Sequence, residues 1–278
     1  MTEMVDHANS TIAPVREQVA RVGSRTMRYF EAGQGRPAIL LHSFPLSAEQ
    51  WRPQLEAVPS GWRFIAPDLP GFGPAAANGE DLLTLDGHAV HVLALMDQLG
   101  IETAAIAGVS MGGYVALALL RRAALRMTTL LLADTRATAD TDEGRAGRDR
   151  MMALIERDGL ESLAREMLPK LLGATSHRER SEVVTEVRRL IVANRPAGVR
   201  AAVQAMRDRP DSTPLLGTIR CPAVIVCGEE DTLTPPAASE AMHRAIPGSR
   251  LMILPGAGHL SNLEAPGEFS RVLEEALQ

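Results

Sequence analysis

Residues 104–120, AAIAGVSMGGYVALALL, limit what this chain can fold into more than any other stretch. An apolar, β-rich run ends at Gly108, Ser110 follows after a single residue, and a helix of small residues starts at once. This is the strand, turn and helix context of a G-x-S-x-G nucleophile elbow. On such a turn the serine takes a strained backbone conformation, and Gly108 and Gly112 are expected because a side chain at either position would collide with the neighbouring strand or helix. The turn pushes the Ser110 hydroxyl out of the sheet. The Met111 N–H, first in the helix and without an intrahelical partner, then points to where a developing oxyanion would sit.

The 278 residues suffice for one large α/β domain with an insertion, or for two small domains. Hydrophobic residues at 45% and charged residues at 23% are those of a globular chain, which excludes disorder beyond the ends. The net charge is −5 and Lys170 is the only lysine, so no basic field exists for nucleic acid, and none is expected as a partner. The opening MTEMVDHANS lacks the basic and apolar regions of a signal peptide, and no apolar run approaches the ~20 residues that span a bilayer. A cytoplasmic protein without a membrane partner is the expectation, and a homodimer stays open. Cys221 and Cys227 flank a predicted strand and would lie roughly 20 Å apart, too far for a disulfide. They read as core thiols without metal spacing.

Along the chain, residues 1–14 read as a mobile polar lead. Strands at 18–22 and 26–31, turning at Gly23 and Ser24, form an antiparallel hairpin at a sheet edge. An apolar strand at 38–41 runs into His42-Ser43-Phe44-Pro45 and a helix over 48–58. A strand at 63–66 closes on Asp68-Leu69-Pro70-Gly71-Phe72-Gly73, and Thr84 caps a helix to Gly100. After the elbow comes a buried strand at 127–133 ending at Asp134. Residues 136–210 then show helical periodicity and no strand, which predicts a lid of four short helices broken at Gly159, Pro169, Gly173, Pro196 and Gly198. Strands return at 223–227 and 250–254, with helices at 236–245 and 266–277. The order predicts a doubly wound, mainly parallel, eight-stranded sheet, with a core of residues 1–135 and 211–278 and a lid of 136–210.

HSFP after the third strand, DLPGFG after the fourth, GVSMGG at the elbow and GAGH after the last strand together resemble the α/β-hydrolase superfamily, over nearly the whole chain. The resemblance implies a triad in the order serine, acid, histidine. His259 is the only histidine after the elbow in a glycine-rich loop that follows a strand. His88, His91, His177 and His243 read as surface residues. The acid lies after the sixth or the seventh strand, at Asp134 or Asp231. The polar loop GEEDTLTP resembles the family's acid loop and favours Asp231, leaving Asp134 as a lid anchor or helix N-cap. By the same resemblance the Phe44 N–H joins that of Met111 as an oxyanion donor, although Ser43 stands where the family has glycine. His42 and Asp68 read as residues that order loops.

A serine nucleophile excludes the aspartate-nucleophile dehalogenases and epoxide hydrolases. The chain looks most like small bacterial carboxylesterases and 3-oxoadipate enol-lactonases, which implies hydrolysis of a small ester or lactone through an acyl-enzyme, with no cofactor and no metal. A cofactor-free perhydrolase of the haloperoxidase type, and a ligand receptor without turnover on the same fold, stay open as alternatives. The predicted lid has no Phe, Tyr or Trp and carries Met151, Met152, Met167, Leu171, Leu172 and Met206. These favour an aliphatic wall and short, neutral esters. An enol-lactonase needs a cation for the substrate carboxylate, and Arg136 is the nearest to the core.

Overall fold

In a computed structural model, residues 14–23, 25–74 and 84–278 are described. The polar lead up to residue 13 and Ser24 of the first turn lie outside the described residues. Eight strands form a single sheet: β1 (Arg16–Val22), β2 (Arg25–Gly33), β3 (Arg36–Leu41), β4 (Trp62–Pro67), β5 (Ala104–Val109), β6 (Met127–Ala133), β7 (Ala223–Gly228) and β8 (Arg250–Leu254). Their order is β1-β2-β4-β3-β5-β6-β7-β8. β2 pairs antiparallel with β1 and with β4, and the remaining neighbours are parallel. Parallel strands covered on both faces need apolar residues at every position rather than at every second one. That is why β5 and β7, AAIAGV and AVIVCG, are buried from end to end.

Helices flank the sheet. Between β3 and β4 a 3₁₀ turn at Ala48–Trp51 leads into α1 (Arg52–Glu56), a shorter helix than the periodicity predicts. Pro59 disfavours helical backbone at Val58 and so ends the helix early. α2 (Leu85–Gln98) starts where Thr84 Oγ1 accepts a hydrogen bond from the Gly87 N–H. α3 (Met111–Ala123) packs on β3, β5 and β6.

Between β6 and β7 stand α4 (Asp142–Leu171), α5 (Ala174–Glu179), α6 (Ser181–Val192), α7 (Pro196–Arg207) and the short α8 (Thr213–Leu216). α4 is not short. It runs for 30 residues as two helical pieces joined at Gly159, whose φ of 72° is the left-handed break that glycine supplies at least cost. Two of the expected breaks are not breaks: Pro169 lies inside α4, and Gly198 lies inside α7, where a Cβ would come within 1.9 Å of the Gly71 carbonyl oxygen. That glycine lets α7 press against the Gly71 loop. α9 (Pro236–Ala245), α10 (Ser261–Glu264) and α11 (Pro266–Leu277) complete the chain, and α11 packs on β6 and β8 with Phe269 edge-on to Trp51 at 5.8 Å. No helix among the described residues is long and apolar enough to cross a membrane.

Candidate active site

The elbow is built by crowding. Ser110 holds φ 53° and ψ −111°, a sparsely populated conformation that persists only where the surroundings over-determine it. A Cβ on Gly108 would stand 2.3 Å from the Gly112 carbonyl oxygen, and one on Gly112 would stand 2.1 Å from that of Leu41. The Ser110 N–H donates to the Ala133 carbonyl at 2.9 Å, and the Thr135 hydroxyl donates to the Ser110 carbonyl at 2.8 Å. Clamped from both sides, the serine backbone sets the direction in which Cβ carries the hydroxyl.

That direction leads to His259. Ser110 Oγ lies 2.7 Å from His259 Nε2, and His259 Nδ1 lies 2.8 Å from Asp231 Oδ2. Asp231 is an acceptor only, so Nδ1 carries the proton and Nε2 faces the serine as an acceptor. Asp231 Oδ1 takes the N–H groups of Leu233 and Thr234 at 2.8 and 2.9 Å, and the Thr234 hydroxyl donates to Oδ2 at 2.6 Å. Burial alone would raise the Asp231 carboxyl, but the adjacent imidazole and these donors hold it below the usual carboxylate range. Burial would likewise lower His259. The charge and hydrogen bond of Asp231 outweigh it and hold the imidazole above its ordinary 6.5.

Asp134 stands behind this pair with a different environment. Its Oδ1 accepts from the Gly228 N–H at 2.8 Å, and its Oδ2 accepts from the hydroxyl and N–H of Ser261 at 2.5 and 3.2 Å. It therefore ties the end of β7 to the His259 loop. It anchors no part of the insertion, and the cap of α4 is Thr141, whose Oγ1 accepts from the Gly144 N–H. Burial first, then repulsion from Asp231, pushes the Asp134 carboxyl up to about 8.

Phe44 lines one cavity with Ser110 and His259, and the hydrogen bonds around it fix its loop. Both the N–H and the hydroxyl of Ser43 donate to Gln50 Oε1 at 2.8 Å, so the residue that replaces glycine turns its hydroxyl toward Gln50. His42 bridges two loops, with Nδ1 at 2.9 Å from the Ser43 carbonyl and Nε2 accepting from the Leu69 N–H at 3.0 Å. Complete burial drops its pKa to about 4, which leaves it a neutral strut. Asp68 accepts from Arg28 Nε and from the Ala48 N–H. His88, read from its helix as a surface residue, is instead buried, and burial drives its pKa down to about 3.

Three braces carry no motif. Glu264 accepts the N–H groups of Gly258, Leu260 and Gly173, joining the His259 loop to the start of α5. Asn194 donates to the Pro45 carbonyl and accepts from the Gly73 N–H, joining α6 to the two loops after β3 and β4. Glu230 accepts from the N–H and hydroxyl of Thr175. A polar residue in its own turn, as Thr234 is in GEEDTLTP, was the only signal available for any further partner of Asp231 or His259.

Over Ser110 and His259 opens a cavity of about 280 Å³, walled by Phe44, Tyr114, Leu233 and Thr234 from the core. Met151, Met167, Leu171 and Met206 close it from the insertion. Metal-type donors meet at one place among the described residues, where atoms of Asp134, Cys227 and Asp231 lie within 4.8 Å. The carboxylate oxygens there already accept hydrogen bonds, and burial pushes the Cys227 thiol far up, away from the thiolate a metal needs. Cys221 and Cys227 are free thiols.

The family described as the alpha/beta hydrolase fold matches residues 37–266. The chain is 32% identical over 271 residues to the dihydrolipoyllysine-residue acetyltransferase component of an acetoin cleaving system from Pseudomonas putida, covering 91% of this chain and 67% of that protein. Its fold is similar to a thermophilic esterase from Thermogutta terrifontis, solved with malate bound, at TM-score 0.88 and 35% identity over 95% of this chain and 98% of that one. It is also similar to the enol-lactonase from Burkholderia xenovorans LB400, at TM-score 0.86 and 27% identity over 94% and 99% of the two chains.

Proposed function

The chain belongs to the alpha/beta hydrolase family, and from that premise we propose that it is a serine hydrolase that opens a small carboxylic ester or lactone through an acyl-enzyme on Ser110. The observation that carries this reading is the unbroken line Ser110 Oγ, His259 Nε2, His259 Nδ1, Asp231 Oδ2, with contacts of 2.7 and 2.8 Å at the floor of a substrate-sized cavity. Its esterase and enol-lactonase relatives support it.

The proposed reaction has two halves. Ser110 Oγ attacks the ester carbonyl carbon while its proton passes to His259 Nε2, and Asp231 stabilises the imidazolium that forms. The N–H groups of Phe44 and Met111 are the donors assigned to the oxyanion. As the tetrahedral intermediate collapses, the C–O bond to the alcohol breaks and His259 returns the proton to the leaving oxygen. Water then attacks the acyl-enzyme, giving its proton to His259, and the acid leaves as Ser110 regains its own. In a lactone the alcohol stays tethered to the acid, and the same bonds form and break.

Steady-state hydrolysis of p-nitrophenyl acetate tests the reading. The wild-type protein should turn over many times, and Ser110→Ala should fall to the buffer rate. Stoichiometric ligand binding with no turnover would instead favour a receptor.

A further inference from the structure

The insertion brings an unbalanced group of charges to the cavity. Asp140, its side chain 1% exposed, accepts from Arg136 Nη2 at 3.0 Å and from Arg148 Nε at 3.0 Å, and lies 2.8 Å from Arg209 Nη2. Burial would raise its pKa, but Arg209 and Arg148 outweigh burial and keep the carboxyl below the usual range, so it is an anion. Three guanidinium groups on one carboxylate leave two positive charges in surplus.

The three arginines are not equivalent. Arg209 is turned away from the cavity: it donates to the carbonyls of Met206 and Thr138 and lies over the Tyr114 ring at 4.3 Å, and its Nε, like that of Arg136, is buried without a hydrogen-bond partner. Arg136 and Arg148 line the cavity of Ser110 and His259. Arg136 Nε is buried without a hydrogen-bond partner. Beside them α4 presents Gly147 to the cavity, where a Cβ would meet nothing nearer than Arg150 Nη2 at 3.8 Å, so the wall there is open backbone. Partly desolvated cations with unused donors are costly unless an anion completes them, and a planar guanidinium fork suits a carboxylate. Arg136 and Arg148 are half-buried in this wall, with side chains 34% and 17% exposed.

We propose that Arg136 and Arg148, held on Asp140, form an anion subsite in the wall of the Ser110 cavity, so that the preferred substrates are small esters or lactones bearing a carboxylate. This rests on the reading of Ser110 as the nucleophile. At about 280 Å³ the cavity falls just below the usual range of ligand pockets, roughly 300–1,000 Å³, which suits half-esters of short dicarboxylic acids and compact carboxylated lactones. Asp140 is a positioning residue here: it fixes the two forks and takes no part in the chemistry.

The test is a ratio of kcat/KM values followed by acid release. One arm compares monomethyl glutarate with methyl pentanoate, which puts the carboxylate on the acid part. The other compares O-acetylglycolate with ethyl acetate, which puts it on the alcohol part. In at least one arm the anionic ester should win by tenfold or more at low ionic strength, mainly through KM, with the advantage shrinking as salt is added. The ratio should fall toward one in Arg136→Gln and in Arg148→Gln, recover in part in Arg136→Lys, and hold in Arg157→Gln, whose residue pairs with Asp158. A ratio is independent of the fraction of protein that folds. Ratios at or below one in both arms, or a ratio that survives both glutamine variants, would overturn the subsite. Should no ester be hydrolysed, calorimetric binding of glutarate to the wild-type protein decides separately. Binding lost in Arg148→Gln upholds the subsite while the hydrolase reading fails, and absence of binding overturns it.

Discussion

The floor and the outer wall of the cavity are made differently. At the floor, positions are set by backbone packed on backbone: Gly108 against Gly112, Gly112 against Leu41, and Ser110 held between Ala133 and Thr135. Apart from the open backbone at Gly147, the wall from the insertion is made of long side chains, with Met151, Met167 and Met206 beside Arg136 and Arg148. A reacting atom must be held to a fraction of an ångström, which close-packed backbone provides. A substrate's outer part needs only matching volume and charge, which flexible thioethers and guanidinium forks provide. Substitutions at the floor should therefore remove the reaction, and those in the wall should change what is chosen.

The largest effect is expected at the floor. Ser110→Ala and His259→Ala should each lower kcat by about a millionfold, and the double variant should be no worse, because the two act as a unit. Stopped assays on purified, folded variants measure this, and losses that multiply would separate the two residues.

Next come the two carboxyls. Asp231→Asn should cost three to four orders of magnitude, roughly the effect of holding an imidazole in the wrong tautomer. Asp134→Asn should retain most activity, since that carboxyl is already driven toward its neutral form by burial and by Asp231. Equal losses would make the pair a single functional unit.

A pH profile sharpens the same contrast. The proposed attack needs neutral His259, whose pKa is held above 6.5, so kcat/KM should rise with pH through a midpoint above that value. Without the Asp231 charge, burial prevails and the midpoint of Asp231→Asn should move down. An unchanged midpoint would mean that Asp231 does not act on His259 electrostatically.

The smallest effect belongs to the wall. Met167→Ala should shift the preferred acyl chain toward longer esters by about tenfold in relative kcat/KM, the scale of one or two methylenes in an apolar pocket. A loss of kcat shared by all substrates would erase the distinction between floor and wall.

The same division decides what could be read from the sequence. The elbow was legible because Gly108, Ser110 and Gly112 act within five residues, and the strands because burial on both faces leaves continuous apolar runs. Asp231 and His259 could be named from their loops, though not that Thr234 would hold the acid as well. Glu264 and Gly173 lie 91 residues apart, and Asp140 meets Arg209 across 69, so neither contact leaves a local pattern. Helical periodicity tells which face of α4 is apolar. It does not say what stands opposite, so the arginines of the insertion could not be told apart from solvated ones.

In the proposed reaction Ser110 carries the acyl group. The direct measurement is intact-mass spectrometry with peptide mapping after rapid acid quench of the protein mixed with p-nitrophenyl acetate. One acetyl group should appear on the peptide containing Ser110, build up before the steady state and disappear at the rate of turnover. It should be absent from Ser110→Ala. Turnover with no acetyl on Ser110, or acetyl that stays on the protein while product accumulates, would rule out an acyl-enzyme on Ser110 as the intermediate.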